Sequence, residues 1–290
     1  MRGVIATLAA VAAALVATTA TAQSVQLQHV TLIGDSVSDS IRVSANAARV
    51  VRQGVDMDLE TAPCRRVEGI GCPIDGKRPA SAVELIRSMG ADIGPNVVVA
   101  VGYNDFEDQY AGNVDDALAA LKEAGVRHVW WLTLRAAHHP YIPMNADLEA
   151  AAQDHPELTI IDWNVYSRSH PDWFQADGIH LKNAGSLQMA ALVHKTLVGA
   201  GVATPPPRVL TKALPLAHRG KAYRARLRAA SGDAPYAWSL LERAPAGVHL
   251  ESSGLVGGTP RARPGRYTFN VRVEDAAGSV VTRRLTLRIS

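Results

Sequence analysis

Five short runs with strand character, each followed by a stretch with helical periodicity, constrain the fold of this chain more than any other feature. The runs lie at residues 30–33, 57–60, 96–101, 128–134 and 158–163. The helical stretches lie at residues 40–51, 81–89, 114–124, 144–154 and 183–198. Such alternation predicts an α/β fold in which helices cover both faces of a mainly parallel sheet.

Two of these runs end in polar residues. The first stops at Gly34-Asp35-Ser36, and the third stops at Gly102-Tyr103-Asn104-Asp105. Catalytic groups in open parallel sheets lie beyond the carboxyl ends of the strands. Ser36 has two interpretations, because a serine at the start of a helix is either a nucleophile beside free backbone N–H groups or only an N-cap.

A third polar stretch, Asp177-Gly178-Ile179-His180, follows the last predicted strand. A carboxylate three residues before an imidazole, with a glycine between them, can accept a hydrogen bond from the His180 Nδ1–H. The Nε2 atom then stays free to take a proton from Ser36. Alone this spacing is a weak signal, because surface loops produce it often.

Together the three blocks resemble blocks I, III and V of the SGNH or GDSL-type hydrolases, over residues 30–199. The resemblance implies a flavodoxin-like three-layer α/β/α sandwich and a serine esterase that uses no cofactor and no metal. It makes Ser36 the nucleophile, His180 the base and Asp177 the acid that orients it. In this family an oxyanion is held by the backbone N–H of the nucleophile and by a side-chain N–H, here of Asn104.

The family's second block supplies a glycine N–H as a third oxyanion donor, and its position is ambiguous here. Gly69, Gly71 and Gly76 all lie near the two cysteines, and we favour Gly69. Tyr103, Trp173 and Phe174 are candidates to line the substrate pocket, although core packing explains the last two equally well.

Other candidate sites are weaker. The chain contains no Gly-x-Ser-x-Gly elbow and no His-Glu-x-x-His motif. His138 and His139 precede a proline, which is more typical of a solvent-facing or substrate-lining loop than of a metal site. Arg65 and Arg66 either meet an anionic substrate group or lie in a solvated loop.

The N-terminal residues predict export. Residues 1–22 combine Arg2, a long Ala/Val/Leu run and the sequence Ala20-Thr21-Ala22, which is the pattern of a cleaved signal peptide. We therefore expect a secreted or periplasmic protein with no transmembrane segment in the mature chain. Cys64 and Cys72 predict a disulfide in that compartment, because too few other ligands lie nearby for a metal site.

The C-terminal part differs in pattern and in charge. Residues 204–208 are a Pro-rich linker between a hydrolase domain at residues 23–203 and a region at residues 209–290 with a residue period of two. This period predicts a small all-β sandwich of about seven strands. With Pro235-Tyr236-Ala237-Trp238 and Ser253-Gly254-Leu255-Val256-Gly257-Gly258-Thr259-Pro260, the region resembles the Ig-like modules of bacterial exported proteins, which implies only a spacer or binding role. Residues 208–290 carry 15 Lys and Arg against five Asp and Glu, a charge of +10, so the rest of the chain carries −7 of the overall +3.

We therefore expect an exported serine esterase that hydrolyses short-chain or O-acetyl esters, such as those of envelope or extracellular glycans. An acyltransferase that passes the acyl group to a glycan hydroxyl would use the same residues. A third alternative is a non-catalytic envelope-binding protein acting through the basic Ig-like module, which could contact an acidic surface or the hydrolase domain. No motif favours nucleic acid.

Overall fold

The computed structural model describes residues 26–137 and 141–290. Two predictions fall outside the described residues, namely the signal peptide at residues 1–22 and the loop histidines His138 and His139. Within the described residues, no helix is long and apolar enough to cross a bilayer.

The first domain is built on a parallel sheet of five strands in the order β2-β1-β3-β4-β5. The strands are β1 (His29–Gly34), β2 (Asp56–Thr61), β3 (Asn96–Ala100), β4 (His128–Leu132) and β5 (Leu158–Ile161). This is the flavodoxin-like strand order, whose ligand crevice lies at the carboxyl ends of β1 and β3. The predicted α/β fold with a mainly parallel sheet is confirmed.

Helices cover both faces of this sheet. They are α1 (Ser36–Val43), α2 (Ala45–Val51), α3 (Ala82–Met89), α4 (Glu107–Glu123), α5 (Ile142–Asp154), α6 (Trp163–Ser167) and α7 (Asn183–Gly199). Successive side chains of a strand point to opposite faces. Leu32 and Val98 therefore pack with α1, α2 and α7, whereas Ile33 and Val99 pack with α3, α4 and α5.

Two helix predictions differ from the structure. The single helix expected at residues 40–51 is two helices, because Ser44 adopts an extended conformation between them. Helix α4 begins seven residues before the expected Val114, at Glu107. Its first turn is exposed and charged, so it lacks the apolar periodicity from which a helix is recognised in sequence.

The C-terminal region is an antiparallel β-sandwich. Its strands are β6 (Arg208–Val209), β7 (Tyr223–Arg226), β8 (Ala229–Ala230), β9 (Ala237–Leu240), β10 (Val248–Leu250), β11 (Leu255–Gly258), β12 (Gly265–Glu274) and β13 (Val280–Ile289). Two three-stranded sheets, β10-β11-β7 and β13-β12-β9, enclose a core with Trp238, Phe269 and Leu287, and β6 pairs with β8. Eight strands thus replace the expected seven or so, and the predicted all-β sandwich is confirmed.

Candidate active site

The candidate nucleophile lies where β1 ends and α1 begins. Ser36 is the first residue of α1, and Asp35 is its N-cap, since the Asp35 carboxylate accepts a hydrogen bond from the N–H of Val37 at 3.0 Å. The interpretation of Ser36 as an N-cap is therefore wrong. Its hydroxyl is available for other contacts, and its N–H, at the first helical position, has no intrahelical partner.

The carboxylate of Asp35 joins the first and third blocks. It is fully buried, and it also accepts hydrogen bonds from the N–H groups of Gly102 and Tyr103, each at 3.2 Å. Burial raises the pKa of Asp35 to about 7, although these backbone N–H groups favour the ionised form. Asp35 therefore fixes the distance between the carboxyl ends of β1 and β3.

The imidazole of His180 reaches this strand end from the other side. Its Nε2 lies 3.0 Å from the Ser36 Oγ, and its Nδ1 lies 2.8 Å from Oδ2 of Asp177. The other oxygen of Asp177 accepts the N–H groups of Ile179 and His180, both at 2.9 Å. Partial burial raises the pKa of Asp177, but these hydrogen bonds outweigh it and leave the pKa below its usual value.

A short loop anchored in the core positions His180. The N–H of Gln175 donates to the carbonyl of His180, and the N–H of Lys182 donates to that of Trp173, both at 2.8 Å. Gly178 takes a φ of +71° at the tip, which glycine adopts without strain. Trp173 and Phe174 are 9% and 1% exposed, so core packing, the alternative interpretation, describes both.

Asn104 lies beside the loop that carries the cysteines. Its Nδ2 donates to the carbonyl of Arg65 at 3.1 Å, which leaves its second N–H for another acceptor. The neighbouring carboxylate of Asp105 is buried and accepts the N–H of Val67 at 2.9 Å and the Nδ2 of Asn113 at 2.8 Å. Asp105 thus holds the cysteine loop against the third block.

This loop opens with a tight turn directly after β2. The N–H of Ala62 donates to the carbonyl of Gly34 at 3.0 Å. The N–H of Arg65 donates to the carbonyl of Ala62 at 3.3 Å, which closes the turn. Pro63 and Cys64 are the central residues of the turn, and Cys64 takes a φ of +63°. A proline followed by a residue with positive φ is the pattern of a type II turn, in which glycine is usual at the third position.

A disulfide closes the loop that follows this turn. Cys64 is bonded to Cys72, with the Cα atoms 5.3 Å apart, as the sequence predicts. Within the described residues, the N–H of Cys64 donates to no protein acceptor. Gly71 packs so closely on the carbonyl of Cys64 that a Cβ at Gly71 would lie 2.1 Å from that oxygen.

The three candidate glycines lie later in this loop. Gly69 lies two residues after Val67, Gly71 packs on the carbonyl of Cys64, and Gly76 forms an exposed turn. Only Gly71 thus contacts the turn after β2, and it does so through its Cα. Sequence reasoning missed the turn itself, for which Pro63 immediately after a strand was the available signal.

Three further residues have structural contacts. Tyr103 is partly buried, and its hydroxyl accepts the N–H of Arg135 at 2.8 Å. Arg65 and Arg66 are 6% and 9% exposed, so the interpretation of them as part of a solvated loop is wrong, and contact with an anionic substrate group stays a prediction. Arg65 donates to the carbonyls of Gly34, Glu60 and Ala80, and Arg66 donates to Gln109. Arg65 therefore fastens the cysteine loop to the sheet, and Arg66 fastens it to α4.

The arrangement combines a hydroxyl, an imidazole and a carboxylate in sequence with nearby backbone and amide donors. Such a group can generate a serine nucleophile and hold an oxyanion. No group of three or more His, Cys, Asp or Glu side chains that could bind a metal occurs among residues 26–137 and 141–290.

Comparison with known proteins shows similarity to a family model in the C-terminal region and to O-acetyltransferases. The family model described as "Putative Ig domain" matches residues 206–290. "Putative peptidoglycan O-acetyltransferase YrhL" of Bacillus subtilis is 26% identical over 165 residues, which is 55% of this chain and 25% of that protein. "O-acetyltransferase OatA" of Staphylococcus aureus is 28% identical over 125 residues, 42% of this chain and 20% of that protein.

Among solved structures, the esterase EstA from Pseudoalteromonas sp. aligns with 60% of this chain and 98% of its own, at 10% identity and a TM-score of 0.45. This chain spans about a quarter or less of the length of the two O-acetyltransferases. The prediction of an α/β domain followed by an Ig-like domain is confirmed by the sheet topology and by the family model over residues 206–290.

Proposed function

We propose that this protein is a serine-dependent acyl-group hydrolase that removes short acyl groups, such as O-acetyl, from extracellular or envelope glycans. The observation that carries the proposal is the continuous series of contacts from Ser36 Oγ through His180 to Asp177. The names of the O-acetyltransferase relatives support acyl chemistry on a glycan.

In the proposed mechanism, His180 Nε2 takes the proton of the Ser36 hydroxyl while Oγ bonds to the ester carbonyl carbon. Asp177 accepts the Nδ1–H and stabilises the imidazolium that forms. When the tetrahedral intermediate collapses, His180 gives the proton to the leaving alcohol. A water molecule then loses a proton to His180, attacks the acyl-enzyme and releases the carboxylic acid, which restores Ser36.

We assign the negative oxygen of the intermediate to three donors. Two are the N–H of Ser36 and the free N–H of Asn104 Nδ2. For the third, the N–H of Cys64 is a better candidate than that of Gly69. Cys64 lies in the turn after β2, directly before Arg65, whose carbonyl accepts from Asn104 Nδ2 at 3.1 Å. Loss of one such donor typically costs about 3–4 kcal/mol of transition-state stabilisation.

The disulfide between Cys64 and Cys72 supports an oxidising compartment, since such bonds form and persist in secreted and periplasmic proteins. Together with the sequence at residues 1–22, it supports export. The substrate would then be an ester on a polymer outside the cytoplasm.

An acyltransferase is the second candidate, because both relatives are named as O-acetyltransferases. It would form the same acyl-enzyme and differ only in the nucleophile that ends the cycle, a sugar hydroxyl instead of water. The test is to incubate the purified protein with p-nitrophenyl acetate, with and without an unacetylated glycan oligomer. Free acetate in both mixtures supports the hydrolase, and acetylated oligomer supports the transferase.

A fluorophosphonate probe tests the common intermediate. We expect one modified residue, Ser36, identified by peptide mass spectrometry. Labelling elsewhere, or none under conditions in which a known serine esterase reacts, would favour the non-catalytic glycan-binding alternative.

A further inference from the structure

The outward face of the sheet β13-β12-β9 carries three exposed arginines that form no ion pair among the described residues. In the antiparallel register, Arg266 lies directly opposite Arg288, and Asn270 lies opposite Arg284. The intervening residues Phe269 and Leu287 are buried in the sandwich core. Because side chains alternate along a strand, the three arginines share the opposite, solvent-facing side, and all three are exposed.

The pair Arg266 and Arg288 is unfavourable for the sheet itself. Side chains directly opposite each other on neighbouring strands have Cβ atoms about 4.5–5.5 Å apart, and like charges in that position are destabilising. An open depression of about 410 Å³ lies at this pair, lined by Gly265, Arg266, Arg288 and Ile289. The side chains of Arg266 and Arg288 therefore both line this depression.

Two carboxylates lie beside this face, and each already accepts hydrogen bonds. Glu242, two residues after β9, accepts the backbone N–H of Asn270 at 2.6 Å and its Nδ2 at 3.0 Å. Glu274 is the single acidic residue of the three strands, and its carboxylate already accepts from Arg272 Nη2 at 2.7 Å.

None of Arg266, Arg284 and Arg288 forms an ion pair within the described part of the chain. Arg284 Nη2 donates to the Thr268 hydroxyl at 3.2 Å, whereas the guanidinium groups of Arg266 and Arg288 have no hydrogen-bond partner among the described residues. Thr268 lies opposite Thr286 on the same face.

We propose that this face is a binding site for an anionic polysaccharide. Guanidinium groups bind carboxylates in bidentate fashion, and threonine hydroxyls bind sugar hydroxyls. Arg284 lies four residues from Arg288, about 13–14 Å along the strand, so the two ends of the face reach separate charges of one polymer. The charge of +10 over residues 208–290 adds long-range attraction.

Other polyanions fit the face less well. Single-stranded nucleic acid is bound by stacking of bases on exposed aromatic rings, and the ring of Tyr267 lies on the core side of β12, packed against the sandwich core. Membrane surfaces are bound by apolar side chains beside basic ones, and no large hydrophobic side chain of β9, β12 or β13 is exposed.

The test measures binding of the full chain to immobilised polygalacturonate and to neutral dextran at 50 and 500 mM NaCl. We expect salt-sensitive binding to polygalacturonate alone. The double variant Arg266→Gln/Arg288→Gln should bind at least tenfold more weakly, and adding Arg284→Gln should weaken binding further. Arg224→Gln/Arg226→Gln is the matched control, because it removes the same charge from β7 of the other sheet, and we expect a change below twofold.

Folding is checked by the melting temperature, which should stay constant or rise in the double variant because a repulsive pair is removed. Equal loss of binding in the β7 control would overturn the proposal, because net charge alone would explain it. Absence of polygalacturonate binding would also overturn it, as would stronger binding to single-stranded DNA or to phosphatidylglycerol vesicles through the same arginines. Since esterase activity is read separately, failure of this proposal leaves the Ser36 chemistry unaffected.

Discussion

His180 Nε2 lies 3.0 Å from the Ser36 Oγ, although the two residues are 144 positions apart in the chain. The parallel sheet brings them together, because β1 ends two residues before Ser36 and the loop before α7 folds over that same end. The predictions below follow from this contact and from its surroundings.

Replacing either member of the contact should abolish turnover. Ser36→Ala removes the nucleophile and His180→Ala removes its base, so we expect each to lower kcat about 10⁴-fold or more, with an unchanged circular dichroism spectrum. The matched control is Ser40→Ala, one turn later in α1, whose hydroxyl donates to the carbonyl of Val37. Substantial acetyl ester hydrolysis by Ser36→Ala would contradict the assignment.

Asp177→Asn should lower kcat by about 10²- to 10⁴-fold, because an amide no longer enforces the Nδ1–H tautomer of His180. The substitution is isosteric, so the melting temperature should change little. Asp172→Asn, an exposed aspartate earlier in the same loop region, is the control and should retain kcat. Full activity of Asp177→Asn in steady-state assays would assign the orienting role to another group.

Asn104→Ala should lower kcat by about 10²- to 10³-fold and leave KM within a few-fold, because an oxyanion donor acts in the transition state. The variant also loses the hydrogen bond to the carbonyl of Arg65. A rise in KM without a fall in kcat, measured with p-nitrophenyl acetate, would show that Asn104 binds the ground state instead.

The turn at Cys64 should make catalysis depend on the disulfide. Reduction by a dithiol, which transfers two electrons and two protons to the two sulfurs, should lower kcat because the turn loses its covalent tether. Cys64→Gly/Cys72→Ala should retain more activity than Cys64→Ala/Cys72→Ala, because alanine at positive φ costs about 1–2 kcal/mol.

This pair of double variants separates backbone conformation from the tether, since neither can form the disulfide. Equal kcat values for the oxidised and the reduced wild-type protein would contradict the role of the tether. Equal values for the two double variants would contradict the role of the turn at Cys64.

Asp35 should make stability depend on pH. Its pKa rises from 3.8 to about 7 on folding, so the folded protein keeps a proton that the unfolded chain loses between these values. The free energy of unfolding therefore falls across that window as pH rises, by about 1.4 kcal/mol for each unit of pKa difference. Below this pH window Asp35 is protonated in both the folded and the unfolded state. Above it Asp35 is ionised in both, so the free energy of unfolding no longer changes with its titration.

The measurement is urea unfolding of the wild-type protein and of Asp35→Asn from pH 4 to pH 8. Asparagine does not titrate, so the stability difference between the two proteins isolates Asp35. We expect the advantage of the wild-type protein to shrink as pH rises towards 7. An advantage that stays constant across this range would show that the pKa of Asp35 does not shift on folding.

Local sequence patterns predicted most of the fold. Strand and helix periodicities are properties of consecutive residues, so the five parallel strands, α3 with its Ser81 cap and the alternation in β12 and β13 could all be recognised. The predicted helix bounds were wrong where the sequence has no apolar periodicity or helix-breaking residue. Residues 107–109 at the start of α4 are exposed and polar, so they show no apolar periodicity. The break between α1 and α2 at Ser44 contains no proline or glycine from which it could be predicted.

Sequence alone determined which residue types follow each strand, and hence the candidates Ser36, Asn104, Asp177 and His180. Tertiary structure decided what each group contacts. Asp35 caps α1, Arg65 is buried beneath the cysteine loop, and Cys64 takes a positive φ in the turn after β2. The physical reason is that propensity depends on neighbours in the chain, whereas burial and hydrogen bonding depend on groups that only folding brings within about 3 Å.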